Sequence, residues 1–439
     1  MYTFLTIYSI VVLILFVCKI RWGLILYVLM FFLLPSFPFT IGGISLKWNY
    51  FNLLLFISLL FYTRCRHLNI SINECKPFLW YFAVLFLFIP IEYGLSYSYQ
   101  LMTWLGSVLR YFTIPLVMFS LFKSNKVREV KILNYIVYIC IFVATVYGLF
   151  LTQTEGLNPY LLLMISDAED LIGYAAPSED RLFGRISSVF SHPMTFGCFL
   201  VVAFFFCLYK IILKKDGCIP LVLLILIISC AMICGVRSVL AGIMLGVMAF
   251  LLFNHKIKYL FYTIVVAGLI LLIAFQEDVL YTYIASIFSS SASADVKGSS
   301  VEMRLTQLLG CFDIISSNPL FGNGFGWTAY YNQMNGDHPV VLAFESYIFV
   351  TLCNWGLVGF VVWLLFLWKI YRKCIILAKK KMDEYYLLLS MSIAYVGYIC
   401  ITGDYAYTMY WSFFYSLMYL DMYLSSTYKC NFLGADNKQ

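Results

Sequence analysis

Apolar runs long enough to cross a lipid bilayer recur along nearly the whole of this chain, and they leave it few folds to choose from. A helix needs roughly 20 mainly apolar residues to span the hydrocarbon. Runs of that kind are expected near 3–19, 22–38, 49–63, 78–95, 101–122, 132–152, 193–213, 218–235, 237–254, 258–275, 344–368, 385–403 and 408–425. Backbone N–H and C=O groups in lipid must be satisfied within the segment that carries them, so such runs become helices. The expected class is an all-α, polytopic integral membrane protein with about 12–14 transmembrane helices. Composition excludes a soluble alternative. Only 12% of residues are charged and 63% are hydrophobic, where a soluble domain carries about 25% charged residues.

Lysine and arginine orient the bundle. Of the 29 basic residues, 22 fall in loops that alternate spans assign to one face, including Lys19, Arg21, Arg66, Arg128, Lys210 and Lys373. The positive-inside rule makes that face cytoplasmic. It also accounts for the net charge of +7 without nucleic acid as a partner. The apolar N-terminus lacks a small-residue cleavage site and reads as a retained span. Two long segments, 152–192 and 276–343, then fall on the outer face, and loops of that length are usually functional or disordered. Residues 289–300 are low-complexity. No internal repeat is apparent, which weakens a transporter built from inverted repeats.

The 14 cysteines lie mostly inside apolar runs and act as small hydrophobes. Cys311, in the outer segment, has no evident disulfide partner there. No ligand pair has metal spacing, so neither metal nor cofactor is expected. The glycine-rich stretch Gly322-Asn323-Gly324-Phe325-Gly326 is no phosphate loop, because it lacks the Lys-Ser/Thr that follows one.

Chemistry-bearing residues concentrate in 301–360. Val301, Leu305, Leu308, Leu309, Phe312 and Ile315 recur at helical spacing and predict an amphipathic helix over 301–315. Asn318-Pro319 stops it. A polar, aromatic loop follows, and a span starts near Phe344. Arg304, His338 and Glu345 lie in this segment. Arginine is depleted on the outer face, yet Arg185, Arg237 and Arg304 each adjoin an apolar element. Three converging guanidinium forks would hold a pyrophosphate. They could equally snorkel to the interface or cap helix ends. Glu345 and His338 are candidate general bases; the plainer readings are a helix-N-terminal charge and a solvated loop histidine. Arg110 lies inside a span, where a charge is costly and faces the bundle interior, with Glu92 as a partner. Asp404 is a weaker candidate. Trp327, Tyr330 and Tyr331 could stack on sugars. His192-Pro193 reads as a helix cap.

Three blocks, RISSVFSHPMTFG (185–197), GVRSVLAG (235–242) and 304–359, resemble in order and topology the O-antigen polymerase and ligase superfamily. The resemblance covers about a quarter of the chain. It implies a membrane-embedded glycosyltransferase of the GT-C type in the bacterial inner membrane, with its active site on the periplasmic side. It implies undecaprenyl-pyrophosphate-linked oligosaccharides as donor and acceptor, membrane lipid around them, and a chain-length regulator protein as a further candidate partner. Arg185, Arg237 and Arg304 would hold the donor pyrophosphate; from their own positions Arg110, Asp404 and Tyr331 are candidates for support. Ligases of the family tend to place His-Asn where this chain has Glu345-Ser346. That departure favours a metal-independent, inverting polymerase over a ligase that transfers glycan to lipid A core. A lipid-linked oligosaccharide flippase is the competing class.

Overall fold

The computed structural model describes residues 2–34, 39–41, 44–46, 48–66, 69–89, 95–123, 127–154, 158–164, 186–212, 216–255, 301–380, 383–403 and 408–436. The elements are α1 (Tyr2–Cys18), α2 (Ile20–Leu33), the hairpin β1 (Phe39–Ile41) and β2 (Ile44–Leu46), α3 (Trp48–Cys65), α4 (Ile72–Phe86), α5 (Tyr97–Phe122) and α6 (Val127–Leu151). There follow α7 (Pro159–Met164), α8 (Pro193–Ile212), α9 (Ile219–Ile233), α10 (Arg237–Phe253), α11 (Val301–Ile314), α12 (Trp327–Asn335), α13 (Tyr347–Lys380), α14 (Tyr385–Thr402) and α15 (Thr408–Asp436). Each expected span falls on one of these helices except 258–275, which lies outside the described residues, as do residues 289–300, Glu92, Arg185 and Asp404. Among the described residues, α5, α6, α8, α13 and α14 are long and apolar enough to cross a membrane, and α1, α2, α9 and α10 are shorter apolar helices. This is an all-α polytopic membrane protein.

Aromatic side chains fill the core. Phe31 and Phe32 of α2 meet Tyr410 and Phe413 of α15, and Phe32 also meets Phe199 of α8. Helix α8 is buried on almost every face, as a helix apolar all round must be. At one end of the bundle, charges from distant elements pair. Lys210 of α8, 1% exposed, lies 2.8 Å from Asp421 of α15 and 3.9 Å from Asp216. Tyr209 donates to Asp421 at 3.0 Å and Tyr138 to Asp216 at 2.8 Å. Lys123 at the end of α5 pairs with Glu74 of α4, whose carbonyl accepts from Lys373 of α13. These lysines belong to the loops and helix ends assigned to the cytoplasmic face, and the packing brings them to a common end.

At the opposite end α13 is broken. Gly356 has φ 62° and ψ −162° inside it, which frees backbone groups on both sides. Residues 319–324 take them up. Asn323 N–H donates to the Cys353 carbonyl at 3.0 Å and Gly324 N–H to the Asn354 carbonyl at 2.9 Å. On the far side Leu357 N–H donates to the Pro319 carbonyl at 2.9 Å and Val358 N–H to the Leu320 carbonyl at 3.0 Å. The backbones approach so closely that a Cβ on Gly356 would stand 2.6 Å from the Leu320 carbonyl. Broken membrane helices persist only where protein re-satisfies the freed groups. The stretch after the break keeps roughly 24 residues, about 36 Å of helix, enough to span.

Gly356→Ala should therefore lower the apparent Tm in detergent by far more than Gly336→Ala. Gly336 has a nearly identical backbone (φ 73°, ψ −157°) but open space around it, so both variants carry the left-handed strain and only one carries the clash. The clash is worth about 1–3 kcal/mol beyond the strain.

Candidate active site

The segment after the low-complexity stretch builds a small platform at the end of the bundle opposite the paired lysines. Helix α11 runs along it with Val301, Leu305, Leu309 and Phe312 exposed, the apolar stripe read from the sequence. It ends at Ile314, earlier than the expected 315, and turns carry the chain to a buried Asn318. The expected loop contains a helix, α12, whose start is set by Gly326 at φ 84°. Cys311, Val341, Phe344, Phe349 and Cys353 form a second apolar cluster beneath α11, α12 and the start of α13.

On this platform Arg304 and Glu345 meet. Arg304 Nη2 lies 2.9 Å from Glu345 Oε2, and Nη1 donates to Gln307 Oε1 at 3.0 Å. The two charged side chains are 21% and 30% exposed, so water reaches the pair from one side. Gln307 is fully buried and fixes the guanidinium plane from below. Glu345 stands two residues ahead of α13 rather than in its first turn. Ser346 caps that helix: its Oγ accepts from Ile348 N–H at 3.3 Å and donates to the Cys400 carbonyl of α14 at 2.6 Å. The peptide just before Glu345 is strained. Leu342 and Phe344 have φ of 57° and 53°, a region that costs a bulky L-residue about 1–2 kcal/mol each. Phe344 in the cluster and the paired His338–Leu342 backbone hydrogen bonds of 3.1 and 2.8 Å hold it there. Such strain gathers at functional positions.

His338 is used up by this loop. Its Nδ1 accepts from Val340 and Val341 N–H at 3.2 and 3.1 Å, which assigns the proton of the neutral ring to Nε2. Neither nitrogen is then placed to take a proton, and burial pushes the imidazole below its ordinary range. Tyr331 packs on His338, Trp327 and Phe344 with ring centres 5.5, 5.1 and 6.1 Å away, so its faces serve the platform.

A cavity of about 250 Å³ opens beside Ala343 and Phe344. Tyr81, Thr103, Ser107 and Tyr111 line it from α4 and α5; Asn332, Asn354 and Trp355 line it from α12 and α13. Its walls are aromatic, aliphatic, hydroxyl and amide, with no charged group among the described residues. Asn332 Oδ1 and Trp355 Nε1 are buried and find no hydrogen-bond partner among the described residues. Gln100, fully buried in α5, accepts from Phe325 N–H at 2.9 Å and ties the glycine-rich loop to the wall.

Arg237 is the first residue of α10. It stands at this same end, where Val239 packs beside Gly197 and Tyr398. Arg110 does not join the platform. It lies about 20 Å along α5 from its start. His192 Nδ1 accepts from Met194 N–H at 3.1 Å at the start of α8, a cap as expected. Sequence reasoning missed Gln307, Gln100, Asn354 and Trp355. Asn354 and Gly356 inside an otherwise apolar run were the available signal. No cluster that could hold a metal occurs among the described residues.

The class is thus a multi-pass membrane protein with a paired arginine and carboxylate over a neutral, aromatic cavity. A family model described as O-antigen ligase matches residues 221–364, about a third of the chain. That match supports the O-antigen polymerase and ligase superfamily. It includes Arg237, Arg304, His338 and Glu345 but neither Arg185 nor the cavity wall of α4 and α5. No curated protein matches the chain.

The His338 geometry makes a prediction about pH. The folded loop resists protonating His338 while an opened loop does not, so loop stability is full above about 6.5 and falls as the pH drops below it. Hydrogen exchange at the Val340 and Val341 amides, corrected for intrinsic rate, should quicken at pH 5.5. His338→Ala should show the fast exchange at both pH values.

Proposed function

We propose that this protein joins undecaprenyl-pyrophosphate-linked glycan units at the outer face of the membrane, as an inverting polymerase that needs no metal. The observation that carries the reading is the Arg304–Glu345 pair beside a sugar-sized, uncharged cavity. The acceptor hydroxyl gives its proton to a Glu345 oxygen and attacks the anomeric carbon of the donor. The bond from that carbon to the pyrophosphate oxygen breaks on the opposite face, so configuration inverts. Negative charge that develops on the leaving pyrophosphate is taken up by Arg304 and Arg237, with Arg185 from the neighbouring segment. Preorganised cations of this kind supply stabilisation without a metal.

The resting ion pair adds a step. A carboxylate occupies the guanidinium fork where a phosphate would sit. Donor pyrophosphate competes for Arg304 and releases Glu345 as the donor arrives. The base is then Glu345, and His338 is a positioning residue for the strained peptide. The acceptor sugar fits the cavity, where the wall residues Thr103, Ser107 and Asn354 supply hydroxyl and amide groups and the rings of Tyr81 and Tyr111 offer apolar faces.

The ligase reading is favoured by the match to the O-antigen ligase family model; Glu345-Ser346 in place of His-Asn favours the polymerase. Purified protein in detergent with lipid-linked repeat units decides between them. A glycan ladder without lipid A core is the expected result; product only when lipid A core is added makes it a ligase. Glu345→Gln should lose at least ~100-fold in rate, and Arg304→Ala should abolish polymer with the protein still folded. His338→Ala should stay within ~10-fold. If Glu345→Gln is mild and His338→Ala is severe, the base assignment is wrong.

Ser107→Ala tests the cavity separately. It removes a wall hydroxyl whose proton is spent on the Thr103 carbonyl of the same helix at 2.9 Å, so the fold should hold. The KM for acceptor should increase about 5- to 10-fold, the worth of one hydrogen bond.

A further inference from the structure

The bundle has a second cavity, at the end where the lysines pair, of about 400 Å³. It is walled by the α1–α2 junction with Cys18 and Lys19, by Arg21, Trp22 and Ile25 of α2, by Tyr62 and Arg66 at the end of α3, and by Arg128, Glu129 and Ile132 of α6. Four cations face one carboxylate. The positive-inside rule explains why basic residues occur at this end. It does not explain why three separate elements deliver them around one hollow.

The local chemistry selects an anion. Arg21 has only a long 3.4 Å contact with Glu129, and its buried Nε finds no partner among the described residues. A guanidinium carries five donors, so most of its capacity is unspent. Helices α2 and α6 both begin here, and the N-terminal end of a helix favours negative charge. The deeper wall is apolar, with Ile25 and Ile132. On the same helices Ile14, Val17, Phe61 and Ile139 are exposed, which sets the cavity mouth against the surface that meets acyl chains. Trp22, 52% exposed, stands at the rim, the level at which indoles gather at a membrane interface.

We infer that this cavity binds the phosphodiester headgroup of an anionic glycerophospholipid from the leaflet on the lysine-rich side. Arg21, Arg66, Arg128 and Lys19 hold the phosphate, and the acyl chains leave past Trp22 over the exposed Ile14, Val17, Phe61 and Ile139. Glu129 competes with the phosphate for Arg21 and weakens the site. The inference does not depend on the glycan chemistry at the other end.

The test is lipid retention by the full chain in detergent, read by native mass spectrometry and thermal stability. The probes are phosphatidylglycerol, phosphatidylcholine, and inorganic phosphate with glycerol 3-phosphate. One phosphatidylglycerol should be retained and should raise the apparent Tm, and phosphatidylcholine should bind at least 10-fold more weakly. Arg21→Gln with Arg66→Gln should lose at least 10-fold in phosphatidylglycerol affinity. Arg372→Gln with Lys379→Gln, an equal charge change elsewhere on the same side, should lose less than 2-fold. Glu129→Gln should bind several-fold more tightly, an outcome that misfolding cannot imitate. Equal loss in both double variants would reduce the site to diffuse surface charge and overturn the inference. So would a Glu129→Gln protein that binds no better. Displacement of the lipid by inorganic phosphate or glycerol 3-phosphate at equal concentration would make it a soluble-anion site and overturn the lipid assignment.

Discussion

A peptide group in hydrocarbon has no water to turn to, and the break in α13 is where this protein meets that constraint most sharply. Four backbone groups freed around Gly356 are satisfied by residues 319–324. The glycine-rich loop is therefore part of the membrane helix it docks into, completing that helix from outside. Everything at this end inherits its position from the docking. Helix α13 anchors α12 through the Asn354 amide oxygen, which accepts from Thr328 N–H at 2.8 Å. The loop anchors α5 through Gln100. The platform of α11 and α12 then rests on the upper part of α13, and Glu345 projects from the strained turn between them.

The same arrangement separates two kinds of polarity. Charge is confined to the Arg304–Glu345 pair, which is part-exposed and backed by a buried amide. A few residues away the described residues that line the cavity are aromatic, aliphatic, hydroxyl and amide, and none is charged. A charged group is better held where water still reaches it, because desolvation is costly. A sugar ring, with an apolar face and a rim of hydroxyls, is better held by aromatic walls and directional hydrogen bonds. A lipid-linked glycan carries both chemistries in one molecule.

Much of this was legible in the residues and some could not have been. Span lengths follow from hydropathy because hydrocarbon forces helices, and the amphipathic stripe of 301–315 reappears on α11 with one face open. The three glycines of GNGFG all adopt positive φ, as their permissiveness allows. The pairing of Arg304 with Glu345 joins positions 41 apart in sequence, and no periodicity connects them. The helix break at Gly356 was hidden inside an apolar run, since a single glycine in a span is ordinarily tolerated. Helix α12 was read as a loop because WTAYYNQMN has no apolar stripe of its own; it is held by packing on α13. His338 reads as a solvated base or a catalytic one, and only the fold shows its Nδ1 accepting from the turn it closes.

Lys210 and Asp421 stand 211 residues apart in sequence and 2.8 Å apart in space. Synthesis runs from the N-terminus, so α8 is made well before α15. In the interval a lysine that will be 1% exposed has no α15 carboxylate beside it, and Tyr209 also lacks its acceptor. Breaking such a buried pair by withholding one partner costs several kcal/mol. The arrival of α15 is thus a checkpoint in biogenesis: an assembly interrupted before that helix leaves Lys210 only the more distant Asp216 carboxylate, 3.9 Å away, a mark by which membrane quality control could tell it from the finished protein.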